Sequence, residues 1–356
     1  MNKAELVEMI QRGEVLENLY LADTDLEGAQ LGGAVFERCV LRGSNLRGAS
    51  FRESTLSECD LVGTDMTGVD LRHTLMSKCD LGRAVLRGAQ MPNANVCDSV
   101  LAGADLSGAD LVICGLIDCD LIGASLAGAN LDRTSIVGAR GAELDLRQAR
   151  LQQTVLLDTD LRTAKLEGAI LHMATLIGCK LAGQDLRGMS LALCQLTRAD
   201  LSGCDLRNAT LTQCNFKDAS LVGAKLDEAS AANALFIDAK LDGASLARAL
   251  LHQCLFNGAD LRLANLSGSN LHQATFANAC CVGAKLVGAD LTYADFTHAD
   301  LSGADFTDAT LFRAQFHRNK EDGAIRGNRT LALAEDKDLA RAEDWKPTRR
   351  GEASPQ

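Results

Sequence analysis

Thirteen cysteines, six histidines and 47 carboxylates are the side chains of this 356-residue sequence that could ligate a metal, attack an electrophile or move a proton. A structural zinc site needs four such ligands converging as a tetrahedron. Ten of the 13 Cys instead fall at one small-residue position of a regular pattern, five in one column of twenty-residue spacing (Cys39, Cys59, Cys79, Cys119, Cys179) and others, Cys194, Cys214 and Cys254 among them, in another. That placement reads as small buried hydrophobes standing in for Ala. Cys280 and Cys281 are the one adjacent pair, and Cys97 is the thiol expected to point outward. His252 and His272 are twenty residues apart with His172 in the same column, so two imidazoles about 5 Å apart could hold a metal loosely. No Cys or carboxylate completes that set. Gly283 and Gly288 mimic half of a phosphate-binding loop, but the Lys-Ser/Thr that gives the loop its chemistry never follows. Asp recurs every five residues, as in Asp60, Asp65 and Asp70 or Asp295, Asp300 and Asp305. Paired carboxylates catalyse only in a pocket that separates their pKa values, and no Ser/His/Asp or Cys/His set stands apart from the pattern. The sequence therefore assigns no catalytic, cofactor-binding or metal residue, and reads as a chain that is not an enzyme.

The pattern that spreads these residues also dictates the elements. From Leu21 to Phe316 every fifth position is Leu, Phe, Met, Ile or Val, with only Gly141, Ala231 and Cys281 breaking the rule among 60 centres. Two residues before each centre stands a small residue, the clear exceptions being Val69, Leu144, Gln184 and Met189. A period of five matches neither the 3.6 of a helix nor the 2 of a strand, so the chain must turn a corner every five residues. Of the 32 Gly, 24 lie two residues after a centre, where a tight turn wants positive φ. Twenty of those share two of the four possible columns at a spacing of twenty, which makes the coil four faces and twenty residues long. Phe216, Phe236, Phe256, Phe276, Phe296 and Phe316 keep the same spacing and are expected to stack as one interior ladder.

With its A(D/N)LXX units the sequence resembles the pentapeptide-repeat family over about residues 15 to 318. The resemblance implies an all-β fold, a right-handed quadrilateral β-helix. The residues themselves predict about 15 coils, a rod of roughly 70 Å at ~4.8 Å per coil. Residues 1–18 are expected to be an N-terminal cap, with a short helix over residues 2 to 12 that starts at Asn2, ends at Gly13 and covers the first coil with Leu6, Met9 and Ile10. The β-helix is assigned to 19–318. Residues 319–356 are expected to be a charged, mobile tail, weakly helical around Leu331 to Trp345.

Composition narrows the function. At 47% hydrophobic but 4% aromatic, the chain buries a core of small and aliphatic residues, and its net charge of −11 disfavours unspecific contact with nucleic acid or anionic membrane. No apolar run approaches the ~18 residues of a membrane span, and an odd Cys count without a secretory leader points to reduced thiols and a cytoplasmic location. The function expected is a rigid, nonenzymatic scaffold that binds a protein partner. Its candidate surface is the column after the centre, Ile117, Val137, Leu157 and Ile177, with Ile113, Met173 and Leu193 (and Val112) nearby. The worst repeat violations, Gly141, Leu144, Gln184 and Met189, fall in the same stretch and predict a bulge or kink in coils 7 to 9. Two further readings follow from the resemblance: an accessory or effector of a type VI-like secretion system, and an acidic DNA mimic that occupies a topoisomerase such as gyrase. Columns such as Asp120, Arg140, Asp160, Lys180 and Asp200 argue against the mimic, because alternating signs read as salt-bridge ladders. A homodimer through one end of the solenoid is the remaining partner expectation.

Overall fold

A computed structural model describes residues 3–345 and shows a parallel β-solenoid. Its order is α1 (Lys3–Gln11), then β1 (Leu16–Glu17), β2 (Val35–Glu37), β3 (Thr55–Ser57), β4 (Leu75–Ser77), β5 (Asn95–Cys97), β6 (Gly115–Ile117), β7 (Ser135–Val137), β8 (Val155–Leu157), and finally α2 (Lys337–Asp344). The eight strands form one parallel sheet in chain order, each residue pairing with the one twenty positions on, as in Leu56 with Met76 and Ile136 with Leu156. The other three faces are held by single bridges at the same spacing, such as Tyr20 with Val40, Asp25 with Asn45 and Gln30 with Ser50. Four bridging columns are the four faces predicted from the glycine columns. The extended-strand part is shorter than the expected fifteen coils: three-residue strands end at Leu157, after which the same face continues as single bridges such as Val155 with Thr175.

The repeat is explained by what each position meets. Centres such as Leu106, Leu116 and Leu121 are fully buried, and the residue two positions earlier, usually a small one, packs beside them in a narrow core. A hydroxyl at that position donates to a carbonyl either one coil back, as Ser44 Oγ to Leu21 O at 2.6 Å and Thr134 Oγ1 to Leu111 O at 2.5 Å, or in its own coil, as Thr64 Oγ1 to Leu61 O at 2.8 Å. The phenylalanines from Phe216 to Phe316 stack as predicted, with centroids 4.7 to 5.3 Å apart, the spacing of adjacent coils.

The ends differ more from expectation. Helix α1 begins at Lys3 and buries Leu6, while Gly13 takes φ +71° and donates to Ile10 O; the expected cap Asn2 lies outside the described residues. At the other end the ladder does not stop at 318. Lys320 bridges Asp300, Ile325 bridges Asp305 and Leu333 bridges Gln315. Helix α2 then starts later than expected, with the Asp336 carboxylate accepting from the backbone N–H of Asp338 and Leu339. Residues 346–356 of the expected tail lie outside the described residues.

Candidate functional site

The candidate surface begins with the strand alternation. In β6, β7 and β8 the middle residues Leu116, Ile136 and Leu156 are fully buried, and the next residues Ile117, Val137 and Leu157 turn outward in direct register. Ile177 continues the column one coil further, its carbonyl accepting from Asp158 N–H at 3.0 Å. These four side chains are half-buried rather than exposed, because neighbours ~4.8 Å apart shield one another. The more open members sit at the corner: Ile113, Met173 and Leu193 are 45%, 40% and 37% accessible. All three have positive φ, 58°, 59° and 64°. Ile113 is the only β-branched residue among the described non-glycine residues in that region, where its Cβ crowds the backbone. Val112 is half-buried beside it. Helices α1 and α2 contact the two ends of the rod, so among the described residues neither terminal segment covers this surface.

The irregularity predicted beside the stripe takes the form of gaps in the ladder. Bridges at the usual spacing are absent, among the described residues, between Arg140 and Asp160, Lys165 and Asp185, and Ile170 and Ser190. Three of the violations are offset, Gly141 and Leu144 by each other and Gln184 by its hydrogen bonds. The Leu144 side chain is fully buried and reaches to within 3.8 Å of where a Cβ on Gly141 would stand, filling the vacant centre. Gln184 puts its amide into the open seam, donating from Nε2 to Leu161 O at 2.6 Å and Ala164 O at 2.9 Å. The interior gap left along Leu146 to Leu191 has a volume of about 10 Å³, at the lower limit for one water, and its lining is apolar and offers a water no partner.

Charge on the walls is paired both between coils, as in Arg42 with Asp60, Arg47 with Asp65 and Arg150 with Asp132, and within a coil. Arg72, Arg147, Arg162, Arg187, Arg207 and Arg262 each grip the Asp two residues earlier in a two-point contact, for instance Arg162 Nε to Asp160 Oδ1 at 2.9 Å and Nη2 to Oδ2 at 2.6 Å. The guanidiniums hold Asp160 and Asp185 down at about 2. The expected inter-coil ladders form only in part: in the named columns Arg140 pairs with Asp120 at 3.1 Å, but Lys165 and Lys180 act on Asp145 and Asp160 only through longer-range attraction. The Asp is better satisfied within its own coil, where one side chain also accepts the i+2 backbone N–H.

Of the cysteines, eleven are buried and two are half-buried, Cys97 and also Cys280, which the sequence reading missed as an outward thiol. Cys280 occupies the position before a centre, between Asp260 and Asp300, so its place in the repeat was the available signal. Burial pushes the Cys194 and Cys254 thiols up to about 12, and burial together with Asp98 and Asp118 raises Cys97. His252 and His272 lie one coil apart as read but are half-buried, with no third ligand joining them among the described residues; the His272 ring instead meets Tyr293 edge-on. The one group among the described residues that could hold a metal was not read from sequence: His298, His317 and Glu343.

Comparison with family models agrees with the repeat. The pentapeptide-repeat model matches eight segments between residues 20 and 318, and a pentapeptide-repeat-region model matches 209–285. No curated protein matches. Among solved structures, the chain is similar to HetL, a pentapeptide repeat protein involved in heterocyst differentiation regulation from the cyanobacterium Nostoc sp. strain PCC 7120, at 26% identity over 75% of this chain and 97% of that one, with a TM-score of 0.25. It is also similar to QnrB1, a plasmid-mediated fluoroquinolone resistance protein, at 22% identity over 59% and 92%, with a TM-score of 0.25. A third is a pentapeptide repeat protein of the Arabidopsis thaliana thylakoid lumen, at 35% identity over 32% and 69%, with a TM-score of 0.16. No helix among the described residues is long and apolar enough to cross a membrane.

Proposed function

The chain belongs to the pentapeptide-repeat family, and from that premise we propose that it is a nonenzymatic scaffold that docks a protein partner on the aliphatic surface of coils 5 to 9. The supporting observation is the contiguous set Ile117, Val137, Leu157 and Ile177, flanked by Ile113, Met173 and Leu193, whereas apolar residues exposed elsewhere on the walls, such as Leu75, Leu250 and Leu263, lie outside this column. Outward apolar groups add little to a core that Leu116, Ile136 and Leu156 already fill, and an apolar patch rimmed by polar residues is the usual mark of a protein contact. Ile113 strengthens the case, because an Ile held at φ +58° costs stability that Gly or Asn would not.

The acidic-mimic reading is disfavoured by the same walls. A duplex mimic must present uncompensated negative charge, and here Asp70, Asp145, Asp160, Asp185, Asp205 and Asp260 are each neutralised by an arginine two residues on. The test is affinity capture from the source cells with wild type and Leu157→Asp side by side. A partner retained by wild type and lost with Leu157→Asp supports the scaffold. Equal recovery places the binding surface elsewhere on the rod.

A further inference from the structure

The last coils and α2 bring together three ligand-type side chains that no repeat column links. His298 Nε2 lies 3.2 Å from Glu343 Oε1, and His317 Nε2 lies 3.3 Å from Glu343 Oε2. All three ligand atoms fall within 4.8 Å of one another. The His317 side chain is fully buried, whereas those of His298 and Glu343 are 37% and 28% accessible. The cluster is therefore walled on the solenoid side and open on the other, which leaves room for water to complete a coordination shell.

Charge and donor type favour a cation there. Glu335, Asp336, Glu343 and Asp344 act on this corner against one guanidinium, that of Arg318. Arg318 Nε reaches Glu343 Oε2 at 3.3 Å, but its Nη2 is committed to Asp344 at 2.5 Å and to Ala340 O at 2.9 Å, so the negative excess remains. Two imidazole nitrogens with one carboxylate suit Zn²⁺, Ni²⁺ or Co²⁺ rather than the all-oxygen preference of Ca²⁺ and Mg²⁺.

We propose that His298, His317 and Glu343 form a binding site for a divalent transition cation of the zinc type, which fastens α2 to the last coil of the rod. Proton placement sets a condition on loading. Asp336 N–H donates to His317 Nδ1 at 3.2 Å, so the ring proton sits on Nε2, facing Glu343. Coordination through Nε2 moves that proton to Nδ1 and opens the bond to Asp336 N–H. Helix α2 keeps its N-cap all the same, because the cap is made by the Asp336 carboxylate and not by its N–H.

The experiment is calorimetric titration of ZnCl₂ into the full chain at neutral pH, repeated with His298→Ala, Glu343→Gln and His252→Ala. A second readout is available in Trp345, the only tryptophan, which directly follows α2 and is quenched by Co²⁺ or Ni²⁺ bound next to it. Expected are one Zn²⁺ per chain, a loss of at least about tenfold in affinity with His298→Ala and with Glu343→Gln, no change with His252→Ala, and Trp345 quenching that disappears in the first two variants only. Both affected residues are partly exposed, and unchanged circular dichroism confirms that the variants fold. The proposal is overturned if wild type shows no saturable site, if binding and quenching survive both substitutions, or if only His252→Ala removes them.

Discussion

Replacing Leu156 or Leu157 with Asp separates the core from the surface by one residue. Leu156 is fully buried, in register with Ile136. Its truncation alone costs about 2–5 kcal/mol, and a carboxylate in that apolar core adds several more unless it is protonated. Leu157 is half-buried in the outward column. Full burial of a Leu is worth roughly 1.5–3 kcal/mol, so half of it lost gives about 1 kcal/mol, more than the ~0.5 kcal/mol usual for a surface site. Because a solenoid loses structure coil by coil, the informative assay is hydrogen exchange resolved along the chain rather than one melting temperature. The reporting amides are Leu156 N–H, bonded to Thr175 O at 2.7 Å, and Thr175 N–H, bonded to Thr154 O at 2.8 Å. Leu156→Asp is expected to bring these amides and those of adjacent coils to rapid exchange, while Leu157→Asp leaves them protected and removes partner capture. Equal loss of protection in the two variants would refute the inward and outward assignment on which the docking surface rests.

Gln184→Ala restores the repeat consensus yet is expected to destabilise, because Ala164 O loses its donor in an open seam; an unsatisfied buried carbonyl costs about 1–3 kcal/mol. Faster exchange at Lys165 and Asp205 N–H checks this, and a gain in stability would mean that Gln184 itself holds the seam apart. Ile113→Gly is expected to stabilise by about 1 kcal/mol through relief of the left-handed backbone while weakening partner capture, as read from thermal unfolding and binding together. Under native conditions a thiol reagent should modify Cys97 and Cys280 before any other cysteine, because the remaining eleven are buried; early labelling of Cys59 or Cys194, mapped by mass spectrometry, would contradict the packing.

The repeat made most of this molecule legible in advance. Every core contact from Leu21 to Phe316 is made at a sequence separation fixed by the coil, so the spacing of Phe216 and Phe236 in the sequence is already their stacking in space. The inward place of Leu156 and the outward place of Leu157 follow from the same period. Even the flaw near Gly141 and Gln184 shows in the sequence, since a broken period marks where a coil cannot close in the usual way. What replaced the missing ladder bonds was not legible: whether Gln184 would bond Ala164 O or leave the core depended on the width of a seam that only the stacked coils define. Beyond Phe316 the period ends and with it the rule that converts spacing into contact. Glu343 meets His317 across 26 residues and His298 across 45, separations that no column predicts. That meeting was decided by the tertiary course of residues 319–336, which follow the edge of the rod and then turn α2 back onto it.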